Sequence, residues 1–83
     1  MKLKDLLLGL GPLEIFGDPE QEITGICYDS RQVKPGNVFV AISGFAVDGH
    51  RFIPMAVEKG AAVVFCERAP AAAVDYVRFP DTR

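Results

Sequence analysis

Apolar residues follow distinct patterns along this chain, and each pattern predicts an element. Leucines three and four positions apart predict a short amphipathic helix over Lys2–Leu10, which nearby glycines and a proline should end. Glu22–Tyr28 alternates loosely and contains β-branched residues, so it predicts a first strand. Leu13–Pro19, between these two segments, lacks such a period and contains a Gly-Asp-Pro turn signal, so we predict a loop there.

Two continuous apolar runs, Val38–Ile42 and Ala61–Cys66, predict strands that are covered on both faces. The segment His50–Lys59 between them has an apolar stripe at helical spacing, and Gly60 follows as a left-handed cap. This order favours a right-handed βαβ unit with parallel strands. Tyr76–Phe79 predicts a third strand, either parallel or at an edge. We therefore predict an α/β fold, a small three-layer sheet with mainly parallel strands.

Composition narrows the possible partners. The chain has 83 residues, which suits one domain, and its net charge of −2 without a basic cluster argues against duplex nucleic acid. Its apolar runs fall short of the ~18–20 residues that span a bilayer, and no signal-peptide pattern is present, so we expect a cytoplasmic protein without a membrane partner. Cys27 and Cys66 match no CxxC motif, and His50 lacks a second histidine or cysteine nearby, so we predict no metal site.

Motifs for complete catalysis are missing from the sequence. It contains no GxxxxGK[ST] phosphate loop, no GxGxxG after a strand, no HExxH and no Gly-x-Ser-x-Gly. No carboxylate spacing singles out a general acid and base pair. These residues therefore favour a binding module over an enzyme that is complete within the chain, and we predict no catalytic residue.

The first candidate loop, Asp29–Arg31, follows the first predicted strand. In open α/β sheets, ligands bind at loops beyond the carboxyl ends of strands. The Ser30 hydroxyl offers one donor and two acceptors, which suits a neutral heterocycle such as uracil, but it could equally complete a turn. We interpret Asp29 as structural, either bonding the backbone of its own turn or pairing with Arg31.

The second candidate loop, 44–48, follows the strand predicted at 38–42, so the two loops could face one crevice. Phe45 could stack on a base or pack against the core. Ala46 and Val47 could donate backbone N–H groups to carbonyl or diphosphate oxygens. Asp48 and His50 are more typical of helix-start residues than of ligand contacts.

A set of short motifs at fixed spacings resembles a known family. Between residues 23 and 68 these are Asp-Ser-Arg, Pro-Gly, Val-Phe-Val-Ala-Ile, Gly, Asp-Gly-His, Phe-Ile, Ala and Gly-Ala. They resemble the N-terminal domain of the Mur ligases, the ATP-dependent enzymes that build the peptide stem of peptidoglycan. The resemblance is strongest to the MurE type, the ligase that adds the third residue to UDP-N-acetylmuramoyl-L-alanyl-D-glutamate.

Two alternatives stay open within this interpretation. The ligase that adds the terminal D-Ala-D-Ala dipeptide shares much of the pattern, but it often has threonine where this chain has Ser30. The opening Leu-Lys-Asp-Leu-Leu also favours the third-residue ligase. The other alternative is a non-catalytic interaction domain that kept the fold and lost the nucleotide.

The resemblance implies a substrate-anchoring role for residues 1–83, as the N-terminal UDP-substrate-binding domain of a longer enzyme. The expected ligand is UDP-N-acetylmuramoyl-dipeptide, and the expected protein partner is the central ATP-binding domain of the same chain. Tyr28 should contact the ligand largely through its backbone, and Ser30 through its hydroxyl. Phe45, Ala46 and Val47 match the loop that lines the uracil and the diphosphate, although some relatives carry polar side chains there. ATP and Mg²⁺ belong to the other domains, so we expect this fragment to bind neither and to be inactive alone.

Overall fold

Residues 1–44 and 47–82 are described by a computed structural model of the chain. Along the chain, one helix precedes three strands, and a second helix precedes two more. The elements are α1 Leu3–Leu7, β1 Glu14–Phe16, β2 Gly25–Cys27, β3 Asn37–Val40, α2 Ile53–Glu58, β4 Val63–Cys66 and β5 Asp75–Arg78, with 3₁₀ turns at Ser30–Gln32 and Gly49–Phe52.

The five strands form one sheet in the order β1-β5-β4-β3-β2. The neighbours from β2 to β5 are parallel, and β1 pairs with β5 antiparallel. Strands β3 and β4 are adjacent and parallel, with α2 between them in sequence. The predicted α/β class, the mainly parallel sheet and the βαβ unit are therefore confirmed.

Each face of the sheet carries its own apolar core, because successive strand residues point to opposite faces. One core packs beneath α1 and consists of Leu3, Ile23, Val38, Val40, Val63, Phe65, Val77 and Phe79. The other packs beneath α2 and consists of Val33, Phe39, Ala41, Ile53, Ala56, Ala61, Val64 and Cys66. The continuous apolar runs of the central strands thus reflect burial on both faces, as predicted.

The predicted loop over Leu13–Pro19 is wrong, because β1 lies within it. Strand β1 is a sheet edge with all three residues exposed, so burial imposes no apolar alternation on it. Its side chains contact β5: Phe16 stacks on Tyr76, with ring centroids 5.3 Å apart, and Glu14 pairs with Arg78 at 3.0 Å. The pairing that forms β1 is with a strand about 60 residues later, which local pattern cannot indicate.

The predicted helix over Lys2–Leu10 is too long. Helix α1 ends at Leu7, and Leu8 and Leu10 are exposed. Leu6 and Leu7 still pack against the core beneath α1. A helix this short has little stability without such packing, so it stops where contact with the core stops.

The predicted helix over His50–Lys59 begins as a 3₁₀ turn at Gly49–Phe52 and becomes α-helical only at Ile53. An α-helix from His50 would require a hydrogen bond from the backbone nitrogen of Pro54, which proline cannot donate. At the second position of α2, Pro54 needs no such bond. Gly60 has a φ of 107° and follows the helix as the predicted left-handed cap.

The first predicted strand is also shorter than its pattern. Strand β2 covers Gly25–Cys27, while Glu22 forms an isolated bridge with Lys2. Ile23 donates its N–H to the Met1 carbonyl at 2.6 Å and is buried beneath α1. Within the described residues, no helix is long and apolar enough to cross a membrane.

Candidate functional site

Four parallel strands end at the same side of the sheet, which we call the carboxyl edge. Each strand from β2 to β5 is followed there by a segment that contains polar side chains: 29–31, 43–48, 67–68 and 80–82. Ligands of open α/β sheets bind in this position. The two loops that the sequence predicts to form a site follow β2 and β3, which are direct neighbours.

Asp29 caps the 3₁₀ turn that follows β2. Its Oδ1 accepts the Arg31 backbone N–H at 2.9 Å, and its carboxylate also pairs with the Arg31 guanidinium at 3.0 and 3.1 Å. The side-chain hydrogen bond from Arg31 is the main cause that lowers the pKa of Asp29. The interpretation of Asp29 as a structural residue that bonds its turn and pairs with Arg31 is confirmed.

Ser30 is the buried polar residue of this corner, with only 6% of its surface exposed. Its hydroxyl contacts the Met55 sulfur at 3.5 Å, and sulfur is a weak acceptor. The turn itself is capped by Asp29, so the Ser30 hydroxyl is not what closes it. Most of the hydrogen-bonding capacity of this hydroxyl is therefore available to a ligand.

Tyr28 and Ser30 line one open cleft of about 350 Å³, which we call the serine cleft. Tyr28 is 66% exposed, so much of this residue is accessible to a ligand. The other lining residues are Asp29, Arg31, Phe52 and Met55. Two aromatic rings, a hydroxyl and a thioether can hold a flat heterocycle by stacking and by a few hydrogen bonds.

A second cleft of about 440 Å³ lies on the α1 side of the same edge, and we call it the apolar cleft. Tyr28 lines this cleft as well as the serine cleft. The remaining lining residues are mainly apolar: Leu6, Leu10, Ile26, Val40, Ile42, Phe65, Phe79, Asp81 and Thr82. This cleft offers shape and apolar contact more than hydrogen bonding.

The loop after β3 is closed at its base by an isolated bridge between Ser43 and Asp48. Gly44 donates its N–H to the Val47 carbonyl at 3.2 Å, and a Cβ on Gly44 would approach that oxygen to 2.8 Å. This close approach accounts for glycine at position 44. Val47 is exposed. Phe45 and Ala46 lie outside the described residues, so their predicted contacts stay predictions.

Asp48 caps the 3₁₀ turn before α2, as its predicted helix-start role requires. Its Oδ1 accepts the His50 backbone N–H at 3.0 Å and lies 2.7 Å from His50 Nδ1, while Arg68 pairs with Oδ2. These hydrogen bonds, the His50 backbone bond foremost, hold the pKa of Asp48 well below its usual range. His50 Nε2 accepts the Glu67 N–H at 2.9 Å, which links this turn to the end of β4.

Glu67 extends the same network across the carboxyl edge. Its Oε2 lies 3.0 Å from the Thr82 nitrogen, and the Thr82 hydroxyl contacts the Ala41 carbonyl at 2.9 Å. The backbone bond from Thr82 is the main cause that lowers the pKa of Glu67. Sequence patterns did not single out Glu67, Thr82 or Met55, because each contributes through a contact with a distant segment.

The described residues contain no group of three or more histidine, cysteine, aspartate or glutamate side chains that could hold a metal ion.

Comparison with known proteins assigns this arrangement to one family. The sequence profile of the Mur ligase family, catalytic domain, matches residues 22–80. The UDP-N-acetylmuramoyl-L-alanyl-D-glutamate–2,6-diaminopimelate ligase of Bacteroides fragilis is 46% identical over 99% of this chain. The chain spans 18% of the length of that relative.

Solved structures of Mur ligases also align with this chain. MurF from Acinetobacter baumannii aligns with a TM-score of 0.74 at 28% identity, over 87% of this chain and 19% of that protein. A UDP-N-acetylmuramoyl-L-alanyl-D-glutamate–2,6-diaminopimelate ligase structure aligns with a TM-score of 0.71 at 25% identity, over 96% of this chain and 16% of that protein.

Proposed function

The chain belongs to the Mur ligase family, and from that premise we propose that it anchors the uridine diphosphate end of UDP-N-acetylmuramoyl-dipeptide. It does so as residues 1–83 of a longer ligase, joined to a central ATP-binding domain. The similarity to full-length ligases along nearly the whole of this chain supports both parts of the proposal. We further propose that the ligase works in the cytoplasm.

The observation that carries the proposal is the meeting of Tyr28 and Ser30 in the serine cleft. Uracil presents two carbonyl acceptors and one imide donor, and a serine hydroxyl can bond to either kind of group. The buried Ser30 hydroxyl has only a weak sulfur contact, so binding would replace that contact with a stronger one. Tyr28 supplies an exposed aromatic residue to the same cleft.

We propose the third-residue ligase, the MurE type, as the parent enzyme. The identity of 46% to the Bacteroides fragilis diaminopimelate ligase over nearly the whole chain supports this choice. The terminal-dipeptide ligase stays the second candidate, because the MurF structure has the higher TM-score, 0.74 against 0.71. Both parents would use the same end of the nucleotide, so the anchoring role does not depend on this choice.

The family implies ATP and Mg²⁺ for the parent enzyme, but the residues of this chain do not fit them. The sequence has no GxxxxGK[ST] loop to cradle phosphates. The described residues also include no cluster of side chains that could coordinate a metal ion. We therefore assign this chain no step of the ligase reaction and expect it to be inactive alone.

An NMR titration of the chain tests the proposal directly. We expect UDP-N-acetylmuramoyl-dipeptide and UDP to shift the amide signals of Tyr28, Ser30 and residues 45–47, and ATP to leave these signals unchanged. Affinity should be weak, since a lone small interface must offset the full cost of association. An equal response to ATP would contradict the uracil assignment, and no response to either uridine ligand would favour the interaction-domain alternative.

A further inference from the structure

We infer that His50 is a positioning residue, which fixes the loop after β3 through one neutral tautomer with the proton on Nδ1. The inference deepens the proposed function and rests on it, because this loop contains residues 45–47 of the proposed site. It concerns a part of the carboxyl edge that does not line the serine cleft.

The tautomer follows from the partners of the two ring nitrogens. A backbone N–H can only donate, so the Glu67 bond at 2.9 Å requires His50 Nε2 to carry a lone pair. Asp48 keeps its carboxylate ionised to an unusually low pH and can then only accept, so the contact of 2.7 Å requires the proton to be on Nδ1. Both conditions are met by one neutral form of the ring.

The surroundings of the ring hold it in this orientation. Only 8% of the His50 side chain is exposed. Asp48 bonds the ring, and Arg68 pairs with the other oxygen of Asp48. The Glu67 carboxylate, on the residue that donates to Nε2, is bonded instead to Thr82.

This arrangement connects three strand ends. Asp48 closes the base of the loop after β3 by its bridge to Ser43, and His50 joins Asp48 to the residue after β4. Thr82, after β5, bonds Glu67 and the carbonyl of Ala41. A helix-start role needs only the Asp48 cap, whereas the bond to Glu67 spans 17 residues and has no part in starting a helix. The bond from Glu67 therefore ties the end of this loop to β4, together with the pairing of Arg68 with Asp48.

Two substitutions of His50 by amide side chains test the two contacts of its ring one at a time. In His50→Gln, the longer side chain can place its amide oxygen near the position of Nε2 and accept the Glu67 N–H. In His50→Asn, the shorter side chain can donate to Asp48 but does not reach Glu67. Thr24→Val is the matched control, because it removes hydrogen bonds with Pro35 and Asn37 at the opposite end of the sheet.

The first measurement is the tautomer, by long-range ¹H–¹⁵N correlation of the His50 ring in the unligated chain. We expect the Nδ1–H form and slow exchange of the Glu67 amide proton with solvent. A ring protonated at Nε2, or a fast-exchanging Glu67 amide, would overturn the inference. Neither readout needs a ligand, so the inference is tested even if UDP does not bind and the proposed function fails.

The second measurement is the UDP dissociation constant of the four proteins, followed by amide shifts. Loss of one net hydrogen bond corresponds to about 2- to 12-fold in affinity. We expect His50→Asn to weaken UDP binding by about 3- to 10-fold, and His50→Gln and Thr24→Val to stay within about twofold of the unchanged chain. Equal weakening by the Asn and Gln variants, or by the control, would show a general structural effect and refute the positioning role.

Discussion

Replacement of Ser30 by alanine tests whether the serine cleft recognises a ligand or only forms a turn. In the unligated chain, the hydroxyl contacts the weak acceptor sulfur of Met55 at 3.5 Å, and Asp29 caps the turn. The free energy of unfolding should therefore change by less than about 1 kcal/mol. A hydrogen bond to a neutral uracil group contributes about 0.5–1.5 kcal/mol net, so UDP affinity should fall about 2- to 12-fold.

The assay for Ser30→Ala combines UDP titration with urea unfolding of the same preparation. Thr24→Val is the control, because it removes hydrogen bonds at the opposite end of the sheet and leaves the serine cleft unchanged. We expect the control to bind UDP within about twofold of the unchanged chain. The reasoning is refuted if Ser30→Ala binds UDP as tightly as the unchanged chain, or if it loses stability and affinity together.

Three further predictions concern stability and reactivity. The pKa of Asp48 is lowered in the folded chain, so the Asp48 carboxylate should stabilise the fold above its ordinary pKa of 3.8, and this stabilisation should be lost as the pH falls further. Asp48→Asn should therefore weaken the pH dependence of urea unfolding below about pH 4, and an unaltered profile would contradict this. Phe39→Ala should cost about 3–5 kcal/mol of unfolding free energy, since Phe39 is fully buried beneath α2; a loss below about 1 kcal/mol would contradict the packing. Burial raises the pKa of the Cys66 thiol to about 11, so a thiol reagent should label the half-buried Cys27 in the folded chain and Cys66 only after unfolding. Mass spectrometry of the labelled peptides measures the order, and labelling of Cys66 before Cys27 would contradict this prediction.

The sequence predicts the centre of the sheet better than its margins. Strands β3 and β4 are buried on both faces, and this burial leaves a continuous apolar run in the sequence. Strand β1 is exposed and paired on one side only, so its residues carry no comparable signature. The start of α2 was predicted too early because the apolar stripe begins before Pro54, whose missing N–H sets where the α-helix can begin.

In the candidate site, too, the sequence predicts local contacts better than contacts between distant segments. Local turn chemistry is enough to predict the caps formed by Asp29 and Asp48, because cap and capped residue are two positions apart. The bond from Glu67 to His50 and the bonds of Thr82 to Ala41 depend on which strands are neighbours. That information lies in the order β5-β4-β3 of the sheet and not in any one segment.

The structure also separates polar residues that the sequence presents as equivalent candidates. The side chains of Asp29, Asp48 and His50 each bond at least one backbone N–H of the fold, so binding a ligand through them would first require a structural bond to break. Ser30 differs, because its hydroxyl is buried beside an open cleft with only a weak sulfur partner. A new bond at Ser30 therefore costs the fold little, whereas the same bond at the other three positions would weaken a cap or the tie between β3 and β4. This asymmetry is a physical reason to expect recognition at Ser30 and support from the others.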